Sequence, residues 1–219
     1  MSIATLILGE SGTGKSTSMR NLTPARCLLI QAVRKPLPFR SAGWRPWNAK
    51  TGGNLITSDD PVFIERAMRQ SPHEIVILDD WQYILANEFM RRSGEKGFDK
   101  FTEIGRHAWD LLMAANDLAP DRRVYIMAHT QTDDLGNTRI KTIGRLLDEK
   151  ITPEGLFSIV LRTRVSDGHY FFATVNSGTD TVKSPMGLFS EQLIENDLAA
   201  VDAAICDYYS IGARMEAAA

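Results

Sequence analysis

Gly9-Glu10-Ser11-Gly12-Thr13-Gly14-Lys15-Ser16 follows directly on the apolar run Ile3-Ala4-Thr5-Leu6-Ile7-Leu8. The stretch satisfies G-x-x-x-x-G-K-[ST] without departure, and a strand before it and a helix start after it are the context that gives the pattern its chemistry. Glycines permit backbone angles and a close approach that a side chain forbids. Loop amides, with those at the helix start, can point at phosphates. Lys15 is expected to reach the β- and γ-phosphates of a nucleoside triphosphate, and the Ser16 hydroxyl to sit on Mg²⁺. Gly9, Glu10, Ser11, Gly12, Thr13, Gly14, Lys15, Ser16 and Thr17 are therefore the candidate nucleotide-binding residues.

A chain of 219 residues is long enough for one α/β domain with a large core; 1–208 reads as that domain and 209–219 as a tail, with Met215-Glu216-Ala217-Ala218-Ala219 as a frayed helix end. The net charge of −2 gives no overall attraction to nucleic acid or membrane. Its distribution is uneven, because no acidic residue falls between Ser11 and Ser58 while Lys15, Arg20, Arg26, Arg34, Lys35, Arg40, Arg45 and Lys50 all do. Cys27 and Cys206 stand far apart in apolar surroundings and read as buried thiols of a reducing compartment. The first residues lack a basic region and run straight into Glu10, unlike a signal peptide, and no apolar run reaches transmembrane length. A soluble, cytoplasmic chain with no membrane partner is expected.

Strands are predicted at Ile3–Leu8, Cys27–Ala32, Ile75–Leu78 and Val124–Ala128, and helices at Lys15–Asn21, Pro61–Gln70 and Phe101–Leu118. Asp60 caps the second of these helices with Pro61 at its first position. Near-continuous apolar strands alternating with helices argue for a mostly parallel α/β sheet with helices on both faces. The pattern then changes. Phe157–Thr163 and His169–Val175 flank Ser166-Asp167-Gly168, which predicts an antiparallel hairpin with an Asp-Gly turn, and a last helix is expected from Ser190 to about Tyr208. Residues 34–54 and 130–154 read as long loops, which in a compact domain are usually functional or mobile.

Glu74-Ile75-Val76-Ile77-Leu78-Asp79-Asp80 puts a carboxylate at the C-terminal edge of a buried strand, where open parallel sheets bind ligands. Asp79 is expected to hold Mg²⁺, mostly through water, and Asp80 to polarise an attacking water. His129, with Thr130 and Gln131, ends the fourth strand and is a candidate contact for the γ-phosphate.

The glycine loop, Leu78-Asp79-Asp80, the polar tip at His129, the hairpin and Lys183-Ser184-Pro185-Met186-Gly187-Leu188-Phe189 together resemble the RecA-like ATPase core. More narrowly, the chain is similar to small phage nucleotide-binding proteins of the AAA type, some of them RecA-related single-strand annealing recombinases. The resemblance spans roughly residues 3 to 190. It implies ATP and Mg²⁺ as cofactors, and assembly into a ring or filament in which a basic residue of one subunit completes the ATP site of the next. Lys183 matches that position. It implies single-stranded DNA on the loop after the fourth strand, with Arg139, Lys141 and Arg145 as phosphate contacts, and on the loop after the Asp79 strand, with Arg91 and Arg92. If the chain is phage-encoded, the host cytoplasm is the expected location, and a single-strand binding protein or replication protein a further partner. One departure matters: recombinases of this type place a catalytic Glu just past the second strand, where this chain has Gln31-Ala32-Val33-Arg34-Lys35. Either Asp80 or Glu10 takes that role, or hydrolysis is slow and binding is the switch.

The basic and aromatic stretch from Arg34 through Trp47 has two readings: it stacks bases and holds phosphates, or Phe39, Trp44 and Trp47 pack beneath a loop. An ATPase acting on single-stranded DNA in recombination, annealing or replication is the leading expectation. A nucleotide-gated loader with weak hydrolysis is the alternative. A small-molecule kinase suits the length and the glycine loop, but neither an arginine-rich lid nor an acceptor pocket is legible.

Overall fold

The computed structural model describes residues 1–212. Strand β1 (Ile3–Leu8) leads into the glycine loop, after which Ser16–Asn21 turns in a 3₁₀ helix. Then follow β2 (Cys27–Gln31), β3 (Leu55–Thr57), α1 (Pro61–Gln70), β4 (Ile75–Asp79), α2 (Gln82–Arg91), α3 (Asp99–Asn116) and β5 (Arg123–Ala128). A small hairpin, β6 (Thr130–Thr132) with β7 (Thr138–Ile140), precedes β8 (Ile159–Ser166), β9 (His169–Ala173), β10 (Leu193–Glu195) and α4 (Leu198–Tyr208).

The main sheet has eight strands in the order β10-β9-β8-β1-β5-β4-β2-β3. From β8 through β3 every pairing is parallel, and β9 runs antiparallel to both of its neighbours. Alternate residues of a strand face opposite sides, and the core divides accordingly. Leu6, Leu8, Ile30, Val76, Leu78, Val124 and Ile126 join one apolar cluster with Ile64 of α1, Ile84 of α2 and Leu111 of α3. Ile7, Leu29, Ile75, Ile77, Tyr125, Met127 and Leu161 join the other, with Met19 and with Leu198, Val201 and Ile205 of α4. Burial on both faces is what the near-continuous apolar strands require, so the expected α/β architecture, mostly parallel with a C-terminal antiparallel hairpin, is present.

The hairpin turns where predicted: Asp167 and Gly168 have φ of 50° and 76°, the left-handed pair that a two-residue turn needs to match strand twist. Other boundaries differ. The segment from Ser190 to Tyr208 is not one helix, because Leu193–Glu195 pairs with β9 and the chain becomes helical only after Asp197, whose carboxylate accepts from the Ala199 amide at 2.9 Å. The helix expected at Lys15–Asn21 is the tighter 3₁₀ form. Of the tail expected at 209–219, residues 213–219 lie outside the described residues, as does the stretch Met215–Ala219 read as a frayed end. Helix α2 and the β6–β7 hairpin were not legible in advance. No helix among the described residues is long and apolar enough to cross a membrane.

Helix α4 is tied to the sheet by a buried polar cluster. Asp202, 5% exposed, accepts from Arg123 Nε at 2.9 Å and from the Tyr125 hydroxyl at 2.7 Å, and Arg123 Nη2 also reaches Glu74 at 3.3 Å. Removing one partner of such a cluster leaves a buried charge without compensation. Asp202→Ala is therefore expected to destabilise the chain by about 3–5 kcal/mol, and Asp202→Asn, which keeps an acceptor, by less; urea denaturation checks both.

Candidate functional site

The site forms where three loops meet at the C-terminal ends of β1, β5 and β4. Gly12 and Gly14 take φ of 78° and 97°, which favours glycine at both positions. Gly9 is small for a different reason: a Cβ there would stand 1.8 Å from Thr163 Oγ1 of β8. Thr163 also meets Thr13 across a 2.6 Å hydroxyl contact, and Thr13 closes back on the Glu10 carbonyl at 2.7 Å. The glycine loop is thus fastened to the first strand of the C-terminal hairpin.

Lys15 is folded into this loop, donating to the carbonyl oxygens of Gly9 at 2.9 Å and Glu10 at 2.8 Å. Burial pushes its pKa down to about 8, against the pull of Asp80 and Asp79. An anion arriving in the loop gives this ammonium a charged partner in place of two carbonyls. Ser16 donates its hydroxyl to Asp79 at 2.9 and 3.1 Å, so its oxygen can still accept.

Asp79 is fully buried at the end of β4, and burial, reinforced by the charge of Asp80, raises its pKa to about 6. Asp80 stands beside it with φ of 64°, a left-handed angle that lets the chain leave β4 and enter α2 at once. It pairs with Lys35 and lies 3.6 Å from His129 Nε2. Burial works to raise its pKa too, but the nearby His129 ring and the hydrogen bond from Lys35 prevail and hold it below the usual carboxylate value.

A cavity of about 250 Å³ is bounded by Ser11, Gly12, Gly14, Lys15, Ser16, Thr17, Lys35, Asp80, His129 and Tyr170. Of the sequence-predicted residues, Ser11, Gly12, Gly14 to Thr17, Asp80 and His129 thus come together, with Asp79 hydrogen-bonded to Ser16. Glu10 does not join them; its carboxylate faces Arg162 at 3.9 Å and is largely exposed. A second cavity, about 460 Å³, shares Thr17 and Tyr170 with the first and is walled by Arg20, His169 and Asn196. Asn196 is 1% exposed, and neither its amide nitrogen nor its oxygen finds a partner. A third, of about 790 Å³, shares Lys35 and Pro36 with the first.

The proposed DNA-contacting residues stand apart from these cavities. Arg91 pairs with Asp59 at 2.6 Å, and Arg92 with Glu88, Glu95 and Glu103 at 3.1, 2.8 and 2.7 Å. Arg139 reaches Asp148 at 3.4 Å and Arg145 reaches Glu149 at 3.6 Å; Lys141 is exposed, its amide on the His129 carbonyl. Lys183 bridges Val160 through its backbone and is exposed at the edge of the hairpin, lining none of the three cavities. Residues that the sequence did not single out complete the site: Thr163, Tyr170 and Asn196, all brought in by the hairpin side of the sheet. Lys35 was visible as one member of a basic stretch, but its pairing with Asp80 depends on β2 and β4 being neighbours.

No group of three or more His, Cys, Asp or Glu among the described residues could hold a metal by itself. The donors that exist, one hydroxyl and one carboxylate, are hard oxygens and suit Mg²⁺, which keeps several waters and takes the rest of its ligands from substrate phosphates. Asp79 also has a stability signature. Its folded pKa lies above its unfolded one, so the folded chain holds the proton more tightly. Below about pH 4 both states are protonated and the group is neutral to stability; between about pH 4 and 6 stability falls because the unfolded chain's carboxylate ionises while the buried one stays protonated, and the loss levels off above about pH 6. Asp79→Asn is expected to stabilise the metal-free protein by about 1–3 kcal/mol near neutral pH and hardly at all near pH 4, measured by thermal melting at the two pH values. No protein-family model matches the chain, and no curated protein matches it.

Proposed function

We propose that this chain is a P-loop ATPase with a RecA-like core, which binds MgATP in the Gly9–Thr17 loop and hydrolyses it in response to single-stranded DNA. The observation that carries the nucleotide reading is the Ser16–Asp79 hydrogen bond at 2.9 Å. It joins the hydroxyl of the glycine loop to the strand-end carboxylate across the intervening strand β5, and this is the donor pair that a phosphate-bound magnesium needs. Lys15 at the base of the loop and the left-handed Gly12 and Gly14 support it.

In this reading Ser16 and Asp79 would hold the magnesium ion, which would supply charge neutralisation to the phosphates when bound. Lys15 leaves the Gly9 and Glu10 carbonyls for the phosphates. The adjoining cavity takes the nucleoside, where Tyr170 offers a ring face and the unpartnered Asn196 amide a donor and an acceptor for a base edge. Asp80 accepts a proton from water as the water oxygen bonds to the γ-phosphorus; the bond from that phosphorus to the β–γ bridging oxygen breaks, and ADP and phosphate result. His129 is placed beside Asp80 to sense the γ-phosphate. Lys183, exposed and without an ion-pair partner among the described residues, acts on the ATP of a neighbouring copy in a ring or filament.

A second reading, a loader that binds ATP but turns it over slowly, is favoured by one observation: Asp80 is engaged by Lys35, so its carboxylate is not free to accept a proton. Turnover measured with and without single-stranded DNA, with the particle mass determined in both states, separates the two. Stimulation by DNA is the expected outcome, and ATP binding without turnover in either state supports the loader. Lys15→Ala is expected to abolish ATP binding, and unchanged ATPase activity overturns the nucleotide site. Lys183→Ala is expected to lower turnover by at least about tenfold with ATP affinity intact; equal loss of both refutes a trans role.

A further inference from the structure

The cavity of about 790 Å³ lies at the C-terminal ends of β2 and β3, on the far side of Lys35 from the glycine loop. Its walls carry Arg34, Lys35, Trp44, Trp47 and Phe63. The aromatics divide the two roles that the sequence left open. Trp44 is 7% exposed and, with Phe39, packs into the core on the α4 face, whereas Trp47 is 50% exposed and Phe63 36%.

Trp47 is held up by a built loop. Its amide donates to the Leu55 carbonyl at 2.8 Å, and the buried Asn54 accepts from the Arg45 amide at 2.8 Å while donating to the Pro24 carbonyl at 2.7 Å. The turn closes so tightly that a Cβ on Gly53 would stand 2.6 Å from Trp47 Cα. An exposed tryptophan on a fixed turn is a stacking platform whose ordering is completed by folding.

The charge around it is one-sided. Arg34, Arg40, Arg45 and Lys50 form no ion pair among the described residues. The nearest acids in sequence are already engaged: Asp59 by Arg91 at 2.6 Å, and Asp60 by the Val62 and Phe63 amides at 3.0 and 3.3 Å. This is the reverse of Arg91, Arg92, Arg139 and Arg145, whose charge is met within the chain.

Resting on the nucleotide site described above, we infer that a single strand of nucleic acid lies in this cavity, its bases against Trp47 and Phe63 and its phosphates on Arg34 and Lys35 of the wall and on the exposed Arg45 of the adjoining turn, and that its backbone draws Lys35 off Asp80. Cations spread along the loop suit a run of phosphates better than the single acceptor of a small-molecule kinase. Because Lys35 borders both cavities, the strand and the nucleotide compete for one ammonium: occupancy of the cavity frees the carboxylate that must accept a proton from water.

The test uses the full chain and a labelled oligothymidylate of about 16 nucleotides, read by fluorescence anisotropy over a range of salt. Trp47→Ala is expected to weaken binding roughly 5- to 100-fold, while Trp47→Phe keeps most of the affinity and loses most of the quenching of tryptophan emission by the oligomer. Arg34→Ser with Arg45→Ser is expected to flatten the salt slope by about 1.4, two single-strand phosphate contacts. In Lys35→Met, turnover with and without the oligomer should converge. Unchanged affinity in the Trp47→Ala and Arg34/Arg45 proteins overturns the inference. So does a wild-type chain that binds labelled MgATP but no oligomer, an outcome that leaves the nucleotide site standing; failure to bind MgATP overturns that site instead. ATP consumption that requires a small hydroxyl acceptor, with Trp47→Ala raising the KM for it, assigns the cavity to a kinase and also overturns the inference.

Discussion

Two neighbouring carboxylates buried at the end of one strand repel each other, and the geometry around β4 is the answer to that repulsion. Asp79 and Asp80 cannot both be stable anions in a dry site without compensation. The chain separates them by reversing the backbone at Asp80, which sends the two side chains to different partners. Asp79 meets a neutral hydroxyl and stays poorly compensated, a site short of a cation. Asp80 meets Lys35 and His129 and is satisfied. One carboxylate is left with little compensation, and the other is held by an ammonium. Stability is given up at the first, where burial and the neighbouring charge of Asp80 both disfavour the anion.

The sheet makes this arrangement possible. Strand β5 stands between the strand that enters the glycine loop and the strand that ends in the carboxylates, so Ser16 and Asp79 must reach toward each other over its end, across about 9.5 Å of sheet. His129 follows β5 directly and borders the same cavity as Ser16 and Asp80. Anchorage comes from both faces: α1 to α3 on one, α4 and the Asp202 cluster on the other.

How much was legible in the sequence follows from which contacts are local. The turn of the glycine loop is legible because its geometry lies in its own backbone; Gly12 and Gly14 take left-handed angles. The four strands and the Asp-Gly hairpin are read correctly because alternation, apolar runs and turn residues are properties of neighbours in sequence. Thr163, Tyr170 and Asn196 were missed because nothing near them in sequence marks them; they matter only because the hairpin folds back beside β1. The segment before Asp197 looked helical because its apolar spacing continues that of α4, and strand pairing with β9 overrode it. Basic residues were the least legible of all. An arginine in sequence carries its charge openly, and only the fold shows that Arg92 spends it on three glutamates while Arg34 does not.

The order of the strands has a consequence for how the chain comes into being. β1 lies in the middle of the sheet, yet its neighbours are β5, where Ile3 faces Arg123, and β8, where Thr5 faces Ile159. A ribosome adding about 5–20 residues per second needs several seconds or more to supply the first of these partners and longer for the second. Throughout that interval the most apolar strand of the protein, with the glycine loop attached, has no edge to pair with. Long-range parallel pairing of this kind is slow and leaves sticky surface in the open. Nascent chains should therefore depend on chaperone capacity and translation speed more than their modest length suggests, and synonymous codons between β1 and β8 become part of what determines the yield of folded protein.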